Sequence, residues 1–312
     1  MVITQITGGL GNQLFQYATA RRLAEHHGTD VLLDTSSYGP NGELRPRELA
    51  AFNRALGLVR FRIKAKIATP QEISRLRDDF YRATTRDRLV RQIRRAWPGF
   101  LWNNHHIIER NHTFQPEALS WPDNVYLQGF WQSPKYFQDI APLIRHELKV
   151  ADVSVVASAA ETVERLRNRF SRVVSLHVRR GDLAHAHETL GRSNITHGAP
   201  VTVDYIARAV AEFDSACCFF VFSDSAEDIQ WCRKNIHAKN LEFSTAESDL
   251  WDFTAMGLCD HHIIANSTFS WWAAWLNPKP DKRVVAPKVW SSPHSRAKML
   301  TDDLVPASWI TI

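Results

Sequence analysis

The chain is poor in cysteine. Its 312 residues hold four, Cys217, Cys218, Cys232 and Cys259, none in a C-x-x-C spacing. This argues against a disulfide framework and a thiolate metal knuckle, and in favour of core thiols in a reducing compartment. No apolar run approaches the roughly 18 residues needed to cross a bilayer. The opening Met1-Val2-Ile3-Thr4-Gln5-Ile6 has no basic stretch and no long apolar one, so no signal peptide is expected and the chain reads as cytoplasmic. Sequons at Asn111, Asn194 and Asn266 carry no weight in that compartment. There is no D-x-D triplet, no Gly-Lys-Ser/Thr loop, and no metal-ligand spacing among the Cys and His residues. No cofactor and no metal are therefore expected. Internal repeats and low-complexity segments are also missing, which excludes a solenoid.

The composition is that of a folded protein: 44% hydrophobic residues, with 11 Trp and 16 Phe, supply a sizeable core. The length suits two domains. A net charge of +5 suits an anionic ligand without naming one. The excess is local: twelve Lys/Arg stand between Arg60 and Arg95 against Glu72, Asp78, Asp79 and Asp87. That segment, 60–95, reads either as a solvated helix face or as a peripheral contact with an anionic inner membrane face or a charged lipid-linked acceptor. Nucleic acid is disfavoured, because no stacking aromatics interleave the charges.

Hydrophobic periodicity predicts a strand over Val2–Thr7, a helix over Gln13–His27 stopped by Gly28, and a strand over Val31–Asp34. A helix is predicted from Gln71 to Trp97, then a looser stretch through His106, a strand over Val125–Phe130, and helices over Pro134–Leu148 and Ser154–Phe170. From Arg172 onward strands over Arg172–Val178, Cys217–Phe222, Leu241–Phe243, His262–Ala265 and Arg283–Ala286 alternate with helices over Val203–Phe213, Ala226–His237, Asp249–Leu258 and Phe269–Leu276, which implies parallel strands with right-handed crossovers. The fold class is therefore α/β: two Rossmann-like domains facing across a cleft, divided as 1–152 and 153–312. Ligands of such sheets sit at the strands' carboxyl ends, where the notable polar motifs fall.

His177-Val178-Arg179-Arg180-Gly181-Asp182 ends an apolar strand. Two adjacent guanidiniums repel one another unless an anion or a carboxylate neutralises them, and the planar fork of Arg suits phosphate. The competing reading is an Arg–Asp pair pinning the strand end. Gly8-Gly9-Leu10-Gly11-Asn12-Gln13 is a loop that lets backbone approach a ligand at a helix N-terminus, or is simply a tight turn. It is not G-x-G-x-x-G, because Leu14 occupies the third glycine position. In Asn266-Ser267-Thr268-Phe269 the hydroxyls either cap a helix or hold a phosphate. Phe222-Ser223-Asp224-Ser225 repeats that geometry, with a capping-box pattern over Ser225–Asp228. An enzyme that stabilises a departing diphosphate draws positive charge from a metal or from Arg, and this chain offers Arg.

Four segments, Gly8–Ala18, His177–Asp182, Phe222–Ser225 and Ser267–Ala274, together resemble the α-1,2-fucosyltransferase family, a glycosyltransferase family 11-like pattern. More distantly they are similar to the α-1,6- and protein O-fucosyltransferases. The resemblance spans nearly the whole chain and is weakest between about residues 40 and 120. It implies a GT-B-like fold and an inverting, metal-independent transfer of L-fucose from GDP-fucose to a galactoside hydroxyl. Residues 1–152 would form the acceptor side and 153–312 the GDP-fucose side. Arg179 would contact the β-phosphate, with Arg180, Gly9 and Gly11 also at the donor. His177 and Asp252 would lie near the nucleoside, Asp224 near the ribose, and Ser267 or Thr268 near the phosphates. Asn12 would face the reaction centre, and Asp182 is the candidate for the acceptor's proton, with His185, His187 and Glu188 as alternatives. The acceptor would be an oligosaccharide or a lipid-linked glycan. The sequence departs from the family at Leu183, where a Tyr commonly follows the Asp, so the acceptor stays open. Another nucleotide sugar, an α-1,6 linkage, and a non-catalytic nucleotide- or sugar-binding protein, to which the eleven tryptophans lend weak support, are the alternatives.

Overall fold

A computed structural model of the chain describes residues 1–39, 55–77, 105–110, 113–180, 201–245, 248–290 and 303–312. The first half is built on a parallel sheet of β1 (Val2–Gln5), β2 (Val31–Asp34), β3 (Lys66–Ile67), β4 (His106–Ile108) and β5 (Val125–Gln128), in the order β3-β2-β1-β5-β4. Val2 sits opposite both Val31 and Val125. The order reverses between β1 and β5, leaving a crevice at their carboxyl ends.

The second half holds β6 (Val173–Val178), β7 (Cys218–Ser223), β8 (Leu241–Phe243), β9 (His261–Ile263), β10 (Val284–Ala286) and β11 (Ile310–Thr311). These strands are also parallel, in the order β11-β10-β9-β6-β7-β8. Counted from β6 this is 3-2-1-4-5-6, the doubly wound order, with its reversal between β6 and β9. Both β6 and β7 are buried along their whole length, as strands covered on both faces must be. The two halves are thus both Rossmann-like.

Helices α1 (Leu10–His27), α2 (Pro70–Leu76), α3 (Ala141–Glu147), α4 (Val153–Arg167), α5 (Val203–Ala211), α6 (Ala226–Asn235), α7 (Asp249–Leu258) and α8 (Thr268–Leu276) cover the sheets. Gly28 ends α1 in the left-handed region at φ 63°, where Gly pays no steric penalty. The first division of the chain, expected at 152, falls in the link between α3 and α4. The halves nonetheless share one core. Phe15 of α1 packs on Trp271 and Trp272 of α8, with ring centroids 4.6 and 4.9 Å away, and Trp272 stacks on Phe137 at 5.3 Å. The C-terminal segment returns to the first half, where the Phe114 N–H donates to Asp303 at 3.0 Å and Ser133 Oγ donates to its carbonyl at 2.9 Å.

Two predicted helices differ. The one predicted over 71–97 ends at Leu76: Arg77 is extended at φ −80°, ψ 129°, and its guanidinium turns back to Asp34 at 3.2 Å. The remainder of that stretch lies outside the described residues. The helix predicted over 134–148 breaks into two 3-10 turns followed by α3, because fully buried Phe137 leaves helical geometry at φ −145°, ψ 8°. β3, β4 and β11, of two or three residues each, were not expected from the sequence. In the described part of the basic segment Arg62, Lys64, Lys66 and Arg75 are exposed, and Arg60 and Arg77 are half-buried. Arg60 forms a two-pronged pair with Asp249 at 2.7 Å, and Lys66 pairs with Asp30 at 2.8 Å. Six of its arginines, Arg82 to Arg95, lie outside the described residues.

Cys217, Cys218, Cys232 and Cys259 are buried free thiols, and burial pushes Cys218 and Cys232 up to about 12. Among the described residues no helix is long and apolar enough to cross a membrane.

Candidate active site

Arg179 leaves the end of β6 at the reversal point of the second sheet. Its Nη1 donates to Ser267 Oγ, in the turn after β9, at 3.5 Å, and its Nε lies 4.0 Å from Asp224 Oδ2 after β7. One guanidinium is therefore bracketed by two neighbouring strand ends. Ser267 holds the N-cap position of α8, yet its side chain makes no capping bond. Of the two readings of this hydroxyl, capping is not what it does here. Thr69, Asp152, Thr202, Ser225 and Ser248 do cap α2, α4, α5, α6 and α7 with their side chains, whereas α1, α8 and the short α3 have no side-chain cap. The N-termini of α1 and α8 thus keep N–H donors and positive dipole ends for an anion.

Those two helix ends meet. Gly11 faces Thr268 so closely that an added Cβ would lie 2.4 Å from the Thr268 backbone carbon. Thr268 Oγ1 donates to Asn12 Oδ1 at 3.2 Å, and Gln132 Nε2, from the turn after β5, donates to the same oxygen at 2.9 Å. The reversal points of both sheets are therefore joined through one asparagine. Gly9 N-caps α1, and its carbonyl accepts from the N–H groups of Asn12 and Gln13 at 3.0 and 3.2 Å. Gly8 takes φ 78°, a conformation other residues rarely adopt.

Buried Gln13 locks the loop: Nε2 donates to the Gly8 and Ala55 carbonyls and to Tyr38 Oη, while Oε1 accepts from the N–H groups of Gly57 and Leu58. Gln16 ties Thr7 to Gly129 across the same crevice.

His177 lies inside β6 and is only 4% exposed, with Nδ1 2.9 Å from Ser270 Oγ. Burial, helped by the Arg179 charge, pushes its pKa down to about 3. It is a neutral imidazole, so it adds no charge and positions α8 through Ser270. Arg180 stacks over Trp231 of α6 at 4.1 Å, a cation–π contact; Asp182, the partner in the Arg–Asp pair that the sequence offered, lies outside the described residues. Asp224 is exposed, while Asp252 is buried in α7 and accepts from Ser244 Oγ at 2.5 Å.

The structure therefore brings Gly11, Asn12, Thr268, Ser267, Arg179 and Asp224 into one contiguous set, with His177 beneath it. Gly181, Asp182, His185, His187 and Glu188 lie outside the described residues. Among the described residues no three His, Cys, Asp or Glu side chains gather as metal ligands. Gln132, Gln13 and Gln16 escaped the sequence reading. Only the strand order shows that Gln132 follows the partner strand of β1. Trp131, Trp251, Trp271, Trp272, Trp275, Trp290 and Trp309 are buried, so these tryptophans are core rather than sugar platforms.

Two parallel doubly wound units opening on one another at their reversal points define a GT-B-like α/β architecture, the fold of nucleotide-sugar glycosyltransferases. The model of glycosyl transferase family 11 matches residues 1–312, and the chain belongs to that family. It is 28% identical to an alpha-1,2-colitosyltransferase of Escherichia coli over 325 aligned residues, covering 100% of this chain and 99% of that protein. It is 26% identical to galactoside alpha-(1,2)-fucosyltransferase 1 of Aotus nancymaae, over 86% of this chain and 63% of that one. The FUT1 protein of Arabidopsis thaliana, solved as a mutant with GDP, has a similar fold: TM-score 0.51 at 12% identity, over 91% of this chain and 70% of that chain.

Proposed function

We propose that this glycosyltransferase moves L-fucose from GDP-fucose to a galactoside hydroxyl, forming an α-1,2 linkage with inversion and without a metal. The observation that carries the reading is Arg179, bonded at the reversal point of the second sheet to Ser267, the chain neighbour of Thr268 in the Asn12–Thr268 contact. The diphosphate would lie against Arg179, Ser267, Thr268 and the N-terminus of α8, beside the Gly9–Gly11 loop, whose Gly11 packs directly on Thr268. Asp224 would take the ribose, and Asp252 with His177 would stand behind the nucleoside.

In a single displacement the acceptor oxygen bonds to the sugar's anomeric carbon as the bond to the β-phosphate oxygen breaks. The electron pair leaves with GDP, and its charge grows against the Arg179 fork and the two helix N-termini. The acceptor's proton goes to a carboxylate or imidazole, for which Asp182 is the leading candidate. Both relatives' names specify 1,2 transfer, which supports the linkage. The name of the Escherichia coli relative favours one alternative donor, a colitosyl nucleotide. Colitose is fucose without its 3-hydroxyl, so a site that hydrogen-bonds that hydroxyl would discriminate strongly between the two.

A GDP-release assay with GDP-fucose, GDP-colitose and UDP-galactose, with and without simple galactosides and EDTA, tests the whole reading. Release that needs a galactoside, prefers GDP-fucose and survives EDTA supports it. Preference for the colitosyl donor moves the assignment to that sugar, and dependence on manganese removes the metal-free step. Asp182→Asn should lose turnover while keeping donor affinity; a parallel loss of both would make Asp182 an orienter of the arginines.

The reading places the enzyme in the cytoplasm, with peripheral contact to an anionic membrane face through the segment 60–95. Arg62 supports this: it is exposed and borders an apolar groove of about 630 Å³ lined by Leu148, Val150, Val153 and Leu276, with Arg145, His146 and Lys149 also on it. Co-sedimentation with anionic but not zwitterionic vesicles checks it.

A further inference from the structure

Gln132 follows β5 by four residues, in a turn whose backbone is held under strain. Trp131, fully buried, adopts φ 56°, a region bulky residues avoid. The Glu109 carboxylate accepts from the N–H groups of Phe130 and Trp131 at 2.6 and 3.0 Å, and Gln16 Nε2 donates to the Gly129 carbonyl at 3.1 Å. A Cβ at Gly129 would lie 2.3 Å from Glu109 Cβ, so the turn closes this tightly only with glycine there. Such a pinned, strained turn delivers one polar side chain to the cleft. Gln132 Nε2 donates to Asn12 Oδ1 at 2.9 Å, beside the 3.2 Å bond from Thr268.

An amide oxygen offers two lone pairs, and both are taken. Among the described residues no hydrogen bond is made through Asn12 Nδ2. The two amides could in principle turn over together, exchanging donor for acceptor. The setting selects one orientation: the N-termini of α1 and α8 and the Arg179 guanidinium favour an anion, which needs N–H donors facing it.

The geometry points to Gln132 as a positioning residue that fixes the amide of Asn12, so that Asn12 presents N–H donors to an acceptor oxygen of the nucleotide-sugar donor. This rests on the reading above that Asn12 lines the donor site. Gln132 itself does not touch the donor and acts through Asn12.

The test uses Gln132→Ala, Gln132→Met, Gln132→Glu, Asn12→Ala and the double variant Asn12→Ala/Gln132→Ala. It reads kcat and donor KM alongside thermal midpoints. Gln132→Glu is nearly isosteric but can only accept, so it draws Asn12 Nδ2 inward and turns Oδ1 toward the anion. It should lower kcat about 10²-fold, the scale of one lost preorganised donor. Gln132→Met and Gln132→Ala, which leave Asn12 able to turn either way, should lose about tenfold at unchanged thermal midpoint, a loss of roughly one hydrogen bond to a charged group. In the Asn12→Ala background, Gln132→Ala should cost nothing further.

A Gln132→Glu variant as active as Gln132→Met, or losses that multiply in the double variant, overturns the proposal. Wild-type turnover is the control for the reaction itself. If wild type transferred no sugar, the proposed function would fail, and the positioning role would be read from GDP affinity: the same ranking would support it, equal affinities would overturn it.

Discussion

Thr268 Oγ1 donates to Asn12 Oδ1 across 3.2 Å, joining residues 256 positions apart. The bond connects the first turn of α1 with the first turn of α8, and so connects the crevices of both sheets. It can form only because Gly11 lets the two helix ends approach to backbone contact. The Gly loop that the sequence offered as a phosphate cradle is, in the structure, also the joint between the halves.

Gly11→Ala should therefore be costly. Alanine is favoured over glycine in a helix by about 1 kcal/mol. Here its Cβ would stand 2.4 Å from the Thr268 backbone carbon, which cannot yield as a flexible chain end would. Overpacking of about 1–3 kcal/mol outweighs the propensity gain. Urea unfolding should show a net loss of stability, and turnover should fall further than stability does. A variant more stable than wild type would show that the halves do not close on this contact.

Ser267→Ala separates capping from ligand binding. Because the Ser267 side chain makes no cap bond, its removal should change unfolding free energy by less than about 0.5 kcal/mol, against about 1 kcal/mol for Ser248→Ala, which removes the cap of α7. Donor KM should rise about tenfold in Ser267→Ala alone, as expected for a hydrogen bond to a charged group. Equal stability losses in the two variants would return Ser267 to a capping role.

Arg179→Lys should be nearly as damaging as Arg179→Ala. Lysine keeps the charge but loses the planar fork that grips two phosphate oxygens. Loss of one preorganised stabiliser costs roughly 10²–10³ in kcat. Arg180→Ala should instead act on stability, because its guanidinium stacks on Trp231. Wild-type turnover in Arg179→Lys would remove the central premise of the site.

Acid should destabilise the fold through its buried histidines. His177 is held down to about 3, and His262 well below its ordinary range, both chiefly by burial. Below about pH 6.5 the unfolded chain protonates these imidazoles while the native state does not, so stability present above that pH is lost as pH falls toward 3. Each group contributes a slope of at most about 1.4 kcal/mol per pH unit. Urea unfolding at a series of pH values between neutrality and the onset of acid denaturation should show the decline. The decline should be shallower in His177→Asn, and an unchanged slope in that variant would mean His177 is not buried neutral.

Much of the second half was legible from periodicity alone. The predicted helix over 249–258 matches α7 to the residue, and β6, β7 and β8 fall within a residue of their predicted bounds. Strands covered on both faces leave continuous apolar runs, and the serines that cap their helices mark the next start. The first half was less legible. A 3-10 turn, a buried Phe137 and the edge strands β3 and β4 were not marked by any local pattern, because packing decided them rather than propensity.

The sequence by itself determined that the chain is an α/β protein with Arg179, Ser267, Thr268 and the glycine loop at strand ends, since local pattern and residue chemistry are properties of neighbouring residues. Only the tertiary structure decided which of these meet. Arg179 reaches Ser267, Arg180 leaves for Trp231, Gly11 serves the joint, and Gln132 joins Asn12. Those outcomes depend on strand order and on how closely two helix ends can approach, and both are set by burial of a core to which the two halves contribute jointly.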